Sequence, residues 1–565
     1  MLNPVDLRKK KELLTAAALC LIIVLAFSYS VWLRKDLLGR ELGYLEDDLT
    51  AFSVIRTRNW LSSGALRSRF LLRRSPQSIE HDGLPAGERD TYVSYPPGTY
   101  IPVFFIAKFF EIDDLITLYR IYNLFNHLII SLFIFLVMFQ TIRYFRNIDP
   151  FTLFFSIAPS AIYLFNPMTM YYHQNVFGQD TAVMTPFVIF IYMEMRRFLF
   201  GRMNRLETMI LAAIVFFGVL TDWLFVFIVF TAFVLRILSA PRPIDIRRLI
   251  AGQSELIIPA LLAMGLFFYQ VLYSGLFHEL LYKFTIRTAR VHHGRSIDLL
   301  YLYKGIVRRF IMRGFGPVLL WTTVFSLIAF FLLYVFVKSR APRSDKARQL
   351  DAYAYLTCLS TLPCLLKLFF LQNHAVIHFF AALKFALPLS LIPFGIVPIA
   401  LNQLSKNWRY RVLFNRAVFF SFLIPLVLVF NFISRERLSM FYRGKMPYDL
   451  ASVKKLGELI ERNTAFNDIC FSTDFDLVPD ARKNRYIRAY SEKLVYGIDS
   501  LKNSQTRDRI PYLFKKGAVV KIFVHENRWG KLKKRYEKAC SNIYRDSDYY
   551  ICEITDADAF SAFLD

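Results

Sequence analysis

Apolar stretches with few or no charged residues recur along the chain, and most of them are about 20 residues long, which matches the hydrocarbon thickness of a bilayer. They fall near residues 13–33, 121–142, 151–172, 181–195, 206–221, 223–235, 256–277, 314–337, 352–371, 375–401 and 412–433. A soluble chain of 565 residues would form several domains and would not contain so many such stretches. The sequence therefore predicts an α-helical polytopic membrane protein with about eleven transmembrane helices.

Basic residues predict the orientation of these helices. Arg8, Lys9, Lys10 and Lys11 precede the first stretch, which is too long for a signal peptide and has no A-x-A-like site, so we expect an uncleaved anchor with a cytoplasmic N-terminus. Every loop then predicted to be inside is basic, as the positive-inside rule requires. These loops contain Arg143, Arg146, Arg196, Arg197, Arg202, Arg205, Arg236, Arg242, Arg247, Arg248, Lys338, Arg340, Arg343, Lys346, Arg348, Lys406, Arg409 and Arg411. The alternation requires that stretches 206–221 and 223–235 are two spans that meet at the outer face near Asp222.

The same rule explains the net charge of +26 and the sequence pI near 9.7. In a soluble protein this balance would suggest nucleic-acid binding. Membrane proteins instead retain Lys and Arg in their cytoplasmic loops. We therefore expect membrane lipids, and no nucleic acid, as partners.

The C-terminal segment, residues 434–565, has a different character. Apolar residues recur at helical spacing between 449 and 462, and residues 469–472, 519–524 and 549–554 are typical of short β-strands. An odd number of spans places this segment outside. The sequence thus predicts a transmembrane domain over residues 1–433 and a small extracytoplasmic α/β domain over 434–565. Cys470, Cys540 and Cys552 lie in this segment, so at most one disulfide forms there without a partner.

Unusual polar residues collect on the predicted outer side. They are Glu46, Asp47, Asp48, Tyr95, His173, Gln179, Asp180, Asp222, His374 and His378. The first outer loop, residues 34–120, also contains the apolar stretch Thr99–Glu111, which is too short to span and is predicted to form an interfacial helix. Asp48 could cap the helix that follows it, or the Glu46-Asp47-Asp48 group could supply a general base at the membrane surface. Asp180 could cap the next span, or it could be a second carboxylate in the same site.

A second outer loop, residues 278–313, breaks the charge rule because it is strongly basic. It contains Lys283, Arg287, Arg290, His292, His293, Arg295, Lys304, Arg308, Arg309 and Arg313, against Glu279 and Asp298. Arg offers paired hydrogen bonds to phosphate, and Lys offers a compact charge. We favour phosphate binding for this loop; an amphipathic helix attracted to lipid head groups is the alternative.

His374 and His378 are four residues apart, which would place them on one helix face. They could ligate a metal with nearby carboxylates, but no Glu or Cys completes a zinc signature, so hydrogen bonding to a phosphate or sugar is favoured. A divalent cation stays open and no cofactor is required. Of the two lysines in the flanking apolar stretches, Lys367 is expected to snorkel, and Lys384 to face the protein interior.

The order of these motifs resembles the GT-C glycosyltransferases, particularly the bacterial lipid-A aminoarabinose transferases and protein O-mannosyltransferases. The matching motifs are Glu46-Asp47-Asp48-Leu49, Trp60-Leu61-Ser62-Ser63-Gly64, Tyr95-Pro96-Pro97-Gly98, Gly178-Gln179-Asp180 and Asn373-His374 with His378. The chain departs from the family in having fewer spans than many members, and it lacks the WWDYG-type motif of oligosaccharyltransferases.

The resemblance implies a GT-C-like fold and a site for each substrate. Asp47 would activate the acceptor, with Asp48 next to it, and Asp180 would be the second carboxylate. Phosphate of a polyprenyl-phosphate sugar would bind Lys283, Arg287, Arg290, Arg295, Lys304, His374 and His378; Glu46, Tyr95, His173, Gln179 and Asp222 would line the site. The acceptor would be a lipid, glycan or protein at the outer face of a bacterial inner membrane.

Two other functions stay open on the sequence. A transporter or lipid flippase would explain the many spans and Lys384, but it predicts polar groups through the membrane depth and often an inverted repeat. A non-catalytic assembly subunit would tolerate the loss of Asp47 and Asp180, which an enzyme would not.

Overall fold

The protein is described here by a computed structural model. The structure describes residues 4–35, 38–39, 42, 46–73, 91–145, 150–201, 203–239, 252–289, 291–292, 295–296, 298–340, 344–397, 450–465, 468–473, 490–491, 495–497, 510, 514 and 517–564. The chain divides into two compact units. We call residues 1–38, 120–268 and 281–443 the helical unit, and residues 39–119, 269–280 and 444–565 the mixed unit.

Helices dominate the chain up to residue 397. They are α1 (Pro4–Trp32), α2 (Asp48–Ser63), α3 (Ile101–Phe110), α4 (Leu115–Phe145), α5 (Pro150–Phe165), α6 (Pro167–Asn175), α7 (Gln179–Ala182), α8 (Met184–Phe200), α9 (Arg205–Thr221), α10 (Leu224–Leu238), α11 (Ser254–Tyr273), α12 (Phe277–Thr288), α13 (Leu299–Leu302), α14 (Met312–Gly314), α15 (Pro317–Arg340), α16 (Asp345–Phe370), α17 (Gln372–Ile377) and α18 (Ala386–Leu391). A π-helix covers Tyr303–Ile311, a second covers Ile392–Ile396, and 3₁₀ helices cover Pro97–Thr99 and Phe379–Phe385.

Within the described residues, six helical segments are long and apolar enough to cross a bilayer. They are Leu14–Trp32, Leu115–Phe145, Ser254–Tyr273, Pro317–Arg340, Ala347–Phe370 and Phe379–Ile396. The pair α5–α6, bent by 58° at Asn166, makes a seventh if it is one span. The prediction of an integral multi-pass membrane protein is therefore confirmed, whereas the number eleven stays a prediction. The last apolar stretch, 412–433, lies outside the described residues.

The break at Asp222 is confirmed. Helix α9 ends at Thr221 and α10 begins at Leu224, with Asp222 in an extended conformation between them. Gly218 in α9 lies against Phe225 in α10, so closely that a Cβ there would meet the ring at 2.4 Å. Glycine therefore allows the two helices to turn back on each other at this point.

The stretch 375–401 is less regular than a single span would be. Its described part changes from α17 to a 3₁₀ helix, to α18 and then to a π-helix, and most of it is buried inside the protein. Irregular backbone is tolerated at membrane depth only where protein surrounds it. This irregular segment therefore belongs to the interior of the helical unit.

The mixed unit contains the first outer loop together with the C-terminal segment, so the predicted domain over 434–565 is part of a larger unit. Leu42 and Ala51 pack in one hydrophobic cluster with Val453 and Leu456. The C-terminal elements are α19 (Leu450–Arg462), β3 (Ile469–Ser472), β4 (Val495–Gly497), β5 (Val520–His525), α20 (Glu526–Ala539), β6 (Asn542–Asp546), β7 (Tyr549–Ile554) and α21 (Ala557–Leu564). The predicted helix and all three predicted strands are confirmed.

The described sheet of this unit has the order β4-β3-β5-β7-β6. Strand β3 pairs in parallel with β4 and β5, whereas β7 pairs antiparallel with β5 and β6. A disulfide joins Cys540 to Cys552, with Cα atoms 5.6 Å apart, and Cys470 is buried and forms no disulfide. The terminal segment thus has one disulfide, within the limit that the sequence set.

Candidate functional site

Four charged side chains meet in the interior of the helical unit. Lys367 Nζ lies 2.6 Å from Asp222 Oδ1 and 3.1 Å from Asp180 Oδ1. Lys384 Nζ lies 2.8 Å from the same Asp180 oxygen. Each of the four side chains is at most 5% exposed. We call Asp180, Asp222, Lys367 and Lys384 the ion tetrad.

Four separate elements bring these residues together. Asp180 lies in the short helix α7, and Asp222 occupies the break between α9 and α10. Lys367 lies in the last turn of α16, and Lys384 in the 3₁₀ helix that follows α17. Asp222 Oδ1 also accepts from the Leu224 backbone N–H, which fixes this carboxylate at the start of α10.

The tetrad balances two carboxylates against two ammonium groups. Burial alone raises the pKa of the Asp180 carboxyl, but Lys367 and Lys384 lower that pKa further and hold it below its usual range. Asp180 is therefore ionised at neutral pH. Asp222 Oδ2 is buried and has no hydrogen-bond partner among the described residues, so this oxygen is an unused acceptor.

Two expectations for these residues are wrong. Asp180 does not cap the next helix: α7 has Gly178 as its N-cap, and α8 has Val183. Lys367 does not snorkel, because only 1% of it is exposed and its ammonium is bonded to two carboxylates. The expectation that Lys384 faces the protein interior is confirmed.

The two histidines lie next to the tetrad. They are not on one helix face, because α17 ends at Ile377 and His378 is extended, but their ring centroids are still 4.6 Å apart. Burial, then the charges of Arg287 and the two tetrad lysines, hold the pKa of His374 well below its usual range. A neutral His374 beside three cations can donate or accept a hydrogen bond without adding charge.

The predicted basic loop reaches this group through the end of α12. Arg287 interacts electrostatically with His374, and Asn373 donates to the backbone carbonyl of Ile286 over 2.8 Å. The π-helix Tyr303–Ile311 packs on the same segment, where Phe310 contacts Phe379 edge to face at 5.3 Å. Part of the phosphate-binding set predicted from the sequence is therefore brought together.

The other residues predicted to bind phosphate lie elsewhere in the same basic loop. Lys283 is half-buried in α12, and Lys304 is exposed on the π-helix. Arg295 belongs to a two-stranded hairpin, β1 (Val291–His292) and β2 (Arg295–Ser296), in which it pairs with His292. Arg290 lies outside the described residues.

An apolar cavity of about 380 Å³ adjoins the elements that carry the tetrad lysines. The π-helix, α15, α16 and the segment around α18 form its walls. Phe385 and Leu368 line it, and each is the chain neighbour of a tetrad lysine, Lys384 and Lys367. Charged groups and an apolar cavity are thus built on the same segments.

His173 and Gln179 lie in the buried polar interior of the helical unit. His173 Nε2 lies 2.7 Å from the Tyr163 hydroxyl, and its ring stacks on His127 at a centroid distance of 4.9 Å. His127 in turn lies 3.1 Å from a guanidinium nitrogen of the buried Arg34. The sequence singled out His173 but missed His127 and Arg34, which are isolated polar residues in or beside apolar stretches.

The predicted bases lie in the mixed unit, at the start of α2. Asp47 is completely buried and Asp48 is 8% exposed. Helix α2 begins at Asp48 with Asp47 as its N-cap, and no side chain makes a capping hydrogen bond, so the capping interpretation of Asp48 is wrong. Glu46 has φ = 58°, the left-handed region that costs an L-residue about 1–2 kcal/mol.

Aromatic side chains surround the rest of α2. Trp60 donates from Nε1 to the Leu71 carbonyl over 2.9 Å and packs edge to face on Phe104. Tyr95 is buried and stacks on Tyr92. The predicted helix at Thr99–Glu111 is confirmed as α3, which follows a 3₁₀ turn at Pro97–Thr99.

Within the described residues, no three His, Cys, Asp or Glu side chains are grouped as a metal site. A divalent cation at the predicted carboxylates therefore stays an open expectation.

No protein-family model and no curated protein matches the sequence. Among solved structures, the chain is similar to ArnT from Cupriavidus metallidurans bound to undecaprenyl phosphate. The two sequences are 12% identical, the match covers 95% of this chain and 97% of that chain, and the TM-score is 0.48. It is also similar to the Archaeoglobus fulgidus oligosaccharyltransferase in the apo form. Here the identity is 11%, the match covers 95% of this chain and 74% of that chain, and the TM-score is 0.49. Both are GT-C glycosyltransferases, the class that the sequence motifs resemble. At these identities and TM-scores the likenesses carry no argument about activity, which is argued below from the residues.

Proposed function

We propose that this protein is a membrane glycosyltransferase that moves a sugar from a polyprenyl-phosphate donor to an acceptor at the outer membrane face. The observation that carries this function is that Lys367 and Lys384, which pair with Asp180 and interact with His374, lie on segments that also line an apolar cavity of the helical unit. A lipid phosphate has the matching chemistry: an anionic head and a long apolar chain.

The charges of this group suit an anionic ligand. Arg287, Lys367 and Lys384 place three cationic side chains near His374, together with the carboxylates of Asp180 and Asp222. A phosphate would accept charge-assisted hydrogen bonds from such cations. The cationic side chains would also stabilise the phosphate as it leaves, because negative charge develops on it during transfer.

The reaction would follow from the roles that the sequence motifs imply. The acceptor hydroxyl or amine attacks the anomeric carbon of the sugar and forms the new glycosidic bond. The bond between that carbon and the phosphate oxygen breaks, and its electron pair leaves with the polyprenyl phosphate. The proton of the acceptor passes to Asp47, which acts as general base. This chemistry needs no nucleotide and no cofactor.

The disulfide supports the outer location of the terminal segment. Disulfides persist in oxidising compartments such as the bacterial periplasm and are rare in the cytosol. Cys540 and Cys552 form such a disulfide in the terminal segment. This pairing agrees with the charge rule, which predicts the same side, and with a bacterial inner membrane.

The function is tested by the release of free polyprenyl phosphate. Purified protein would be given a pool of labelled polyprenyl-phosphate sugars and a crude membrane acceptor. We expect the release of polyprenyl phosphate to depend on the acceptor and to fall in Asp47→Asn. In Arg287→Gln the KM for the donor should rise about tenfold, since one charge-assisted hydrogen bond is lost. Arg348→Gln is the matched control, because Arg348 is exposed and pairs only with Asp345, three residues earlier in its own helix.

Two results would count against this function. Release that is unchanged in both Asp47→Asn and Arg287→Gln would overturn the site. Movement of labelled lipid across vesicles without sugar transfer would establish the flippase instead.

A further inference from the structure

Arg56 is a buried cation without a carboxylate partner among the described residues. It lies in α2 of the mixed unit and is 4% exposed. Its guanidinium donates to the Tyr100 hydroxyl, while its Nε is buried and has no hydrogen-bond partner. A buried charge that lacks an opposite charge is strongly unfavourable, so such a group calls for an anion.

The nearest side chains are aromatic and do not supply that anion. The guanidinium lies 4.2 Å from the ring centroid of Tyr92, 5.1 Å from that of Tyr100 and 5.3 Å from that of Phe52. Burial raises the pKa of Tyr100 despite the opposing effect of Arg56, so this hydroxyl is neutral and is no counter-ion. Cation–π contacts with these rings offset only part of the cost of burying the charge.

Two other arginines of this protein are paired with carboxylates. Arg58, two residues further along the same helix, pairs with Asp113 at 3.6 Å. Arg236, which is as deeply buried as Arg56, is ion-paired with both Glu194 and Glu255. Arg56 differs from both, because three aromatic rings surround it and no carboxylate of the described residues pairs with it.

We propose that Arg56 binds an oxyanion, a phosphate or a carboxylate, between the rings of Phe52, Tyr92 and Tyr100. Calling this ligand the acceptor rests on the proposed function; the oxyanion site itself does not. Guanidinium binds both groups through paired hydrogen bonds.

The position of Arg56 on α2 sets the size of that acceptor. Asp48, Phe52 and Arg56 are spaced four apart and lie along one ridge of the helix. The guanidinium lies over Phe52, so it points toward the turn that begins at Asp48. Asp48 and Arg56 are separated by about 12 Å along the axis. An acceptor held by its anionic group at Arg56 must therefore be longer than a free phosphate to present its nucleophile at the start of the helix.

Binding is tested on the full-length protein without donor, so the result does not depend on transferase activity. The melting temperature in detergent would be measured with sodium phosphate or sodium acetate against chloride at equal ionic strength. The variants are Arg56→Gln and Arg56→Lys, with Arg58→Gln as the matched control on the same helix. A parallel set in nanodiscs of phosphatidylglycerol or phosphatidylcholine separates a lipid head group from a free anion.

We expect phosphate, acetate or both to raise the melting temperature of the wild type and of Arg58→Gln. Arg56→Gln should lose the response, with anion binding weakened about tenfold or more, and Arg56→Lys should keep part of it. If Arg56→Gln does not fold, Tyr92→Leu, which keeps the charge but removes one wall, should weaken the same response.

Three results would overturn all or part of this inference. No response of the wild type to either anion would exclude the oxyanion site. An equal response in Arg56→Gln would place the anion elsewhere. Phosphatidylglycerol could also raise the melting temperature of the wild type but not of Arg56→Gln, and could abolish the effect of soluble anions. This result would assign the site to a lipid head group and exclude the acceptor.

Discussion

Lys384 Nζ lies 2.8 Å from Asp180 Oδ1 although the two residues are 204 positions apart in the chain. Both side chains are buried, and Lys367 bonds the same aspartate and Asp222 as well. The predicted catalytic carboxylate Asp180 is thus the centre of an ion network. Its contributions to stability and to activity have to be separated by experiment.

We expect Asp180→Asn and Lys384→Met each to lower the free energy of unfolding by about 3–5 kcal/mol, because each leaves an uncompensated buried charge. The double variant Asp180→Asn/Lys384→Met should recover part of this loss, since the charge imbalance is smaller. Thermal unfolding in detergent measures all three. Lys338→Met is the matched control: Lys338 pairs with Asp351 at a half-exposed site, where an ion pair contributes about 1 kcal/mol or less.

Activity of the double variant then decides the role of Asp180. A protein that regains stability but not transfer would show that this carboxylate acts in the reaction. Recovery of both would assign Asp180 to the fold alone and remove it from the predicted site.

The elements of the fold could be predicted because their signals are local. The break at Asp222 and the short helix after Pro97 follow from apolar lengths and from proline, which both act within a few residues. The tetrad could not be predicted in the same way. Snorkelling was the reasonable expectation for a lysine near the end of a span. It failed for Lys367 because two aspartates from distant elements reach its ammonium, and single-sequence patterns do not report such pairings.

The candidate site shows the same division. Local spacing placed His374 next to His378, although the helix ends between them. The missing anion of Arg56 is visible only once Tyr92 and Tyr100 are folded around it. The sequence could name residue types suited to phosphate and sugar chemistry, but not which of them lack partners.

Asp47→Asn should lower kcat by about 10²–10⁴, the usual contribution of a general base. Asn is an equally good N-cap residue, so we expect the start of α2 to be kept and the variant to fold. Initial rates of polyprenyl phosphate release and thermal unfolding measure the two effects. Asp48→Asn is the neighbouring control and should lose less activity; an unchanged rate in Asp47→Asn would move the base to another residue.

Gly218→Ala should destabilise the protein by about 1–3 kcal/mol, because the new Cβ would meet the Phe225 ring at 2.4 Å and force α9 and α10 apart. Activity should fall as well, since Asp222 lies at this junction and bonds Lys367. Gly265→Ala in α11 is the matched control: its Cβ would meet nothing within 4 Å, and we expect a gain of about 0.5–1 kcal/mol. Thermal unfolding compares the two, and equal stability of both variants would show that the α9–α10 contact is looser than described.

The mixed unit should lose stability below about pH 4 through Asp546 at the end of β6. Asn463 donates to this carboxylate over 2.8 Å and Arg462 binds both of its oxygens, and these bonds lower the pKa of Asp546. Because the folded pKa lies below the unfolded one, the ionised pair stabilises the fold above the unfolded pKa, and this contribution is lost as the pH falls through the folded pKa. The side chains are partly exposed, so we expect less than about 1 kcal/mol. The rate of pepsin cleavage within β6–β7 would be measured by mass spectrometry between pH 4.5 and 2.5. As the pH falls, this rate should rise less steeply in Asp546→Asn than in the wild type. The exposed Asp558→Asn should follow the wild type, and the same slope in all three proteins would mean that Asp546 is not the acid-sensitive group.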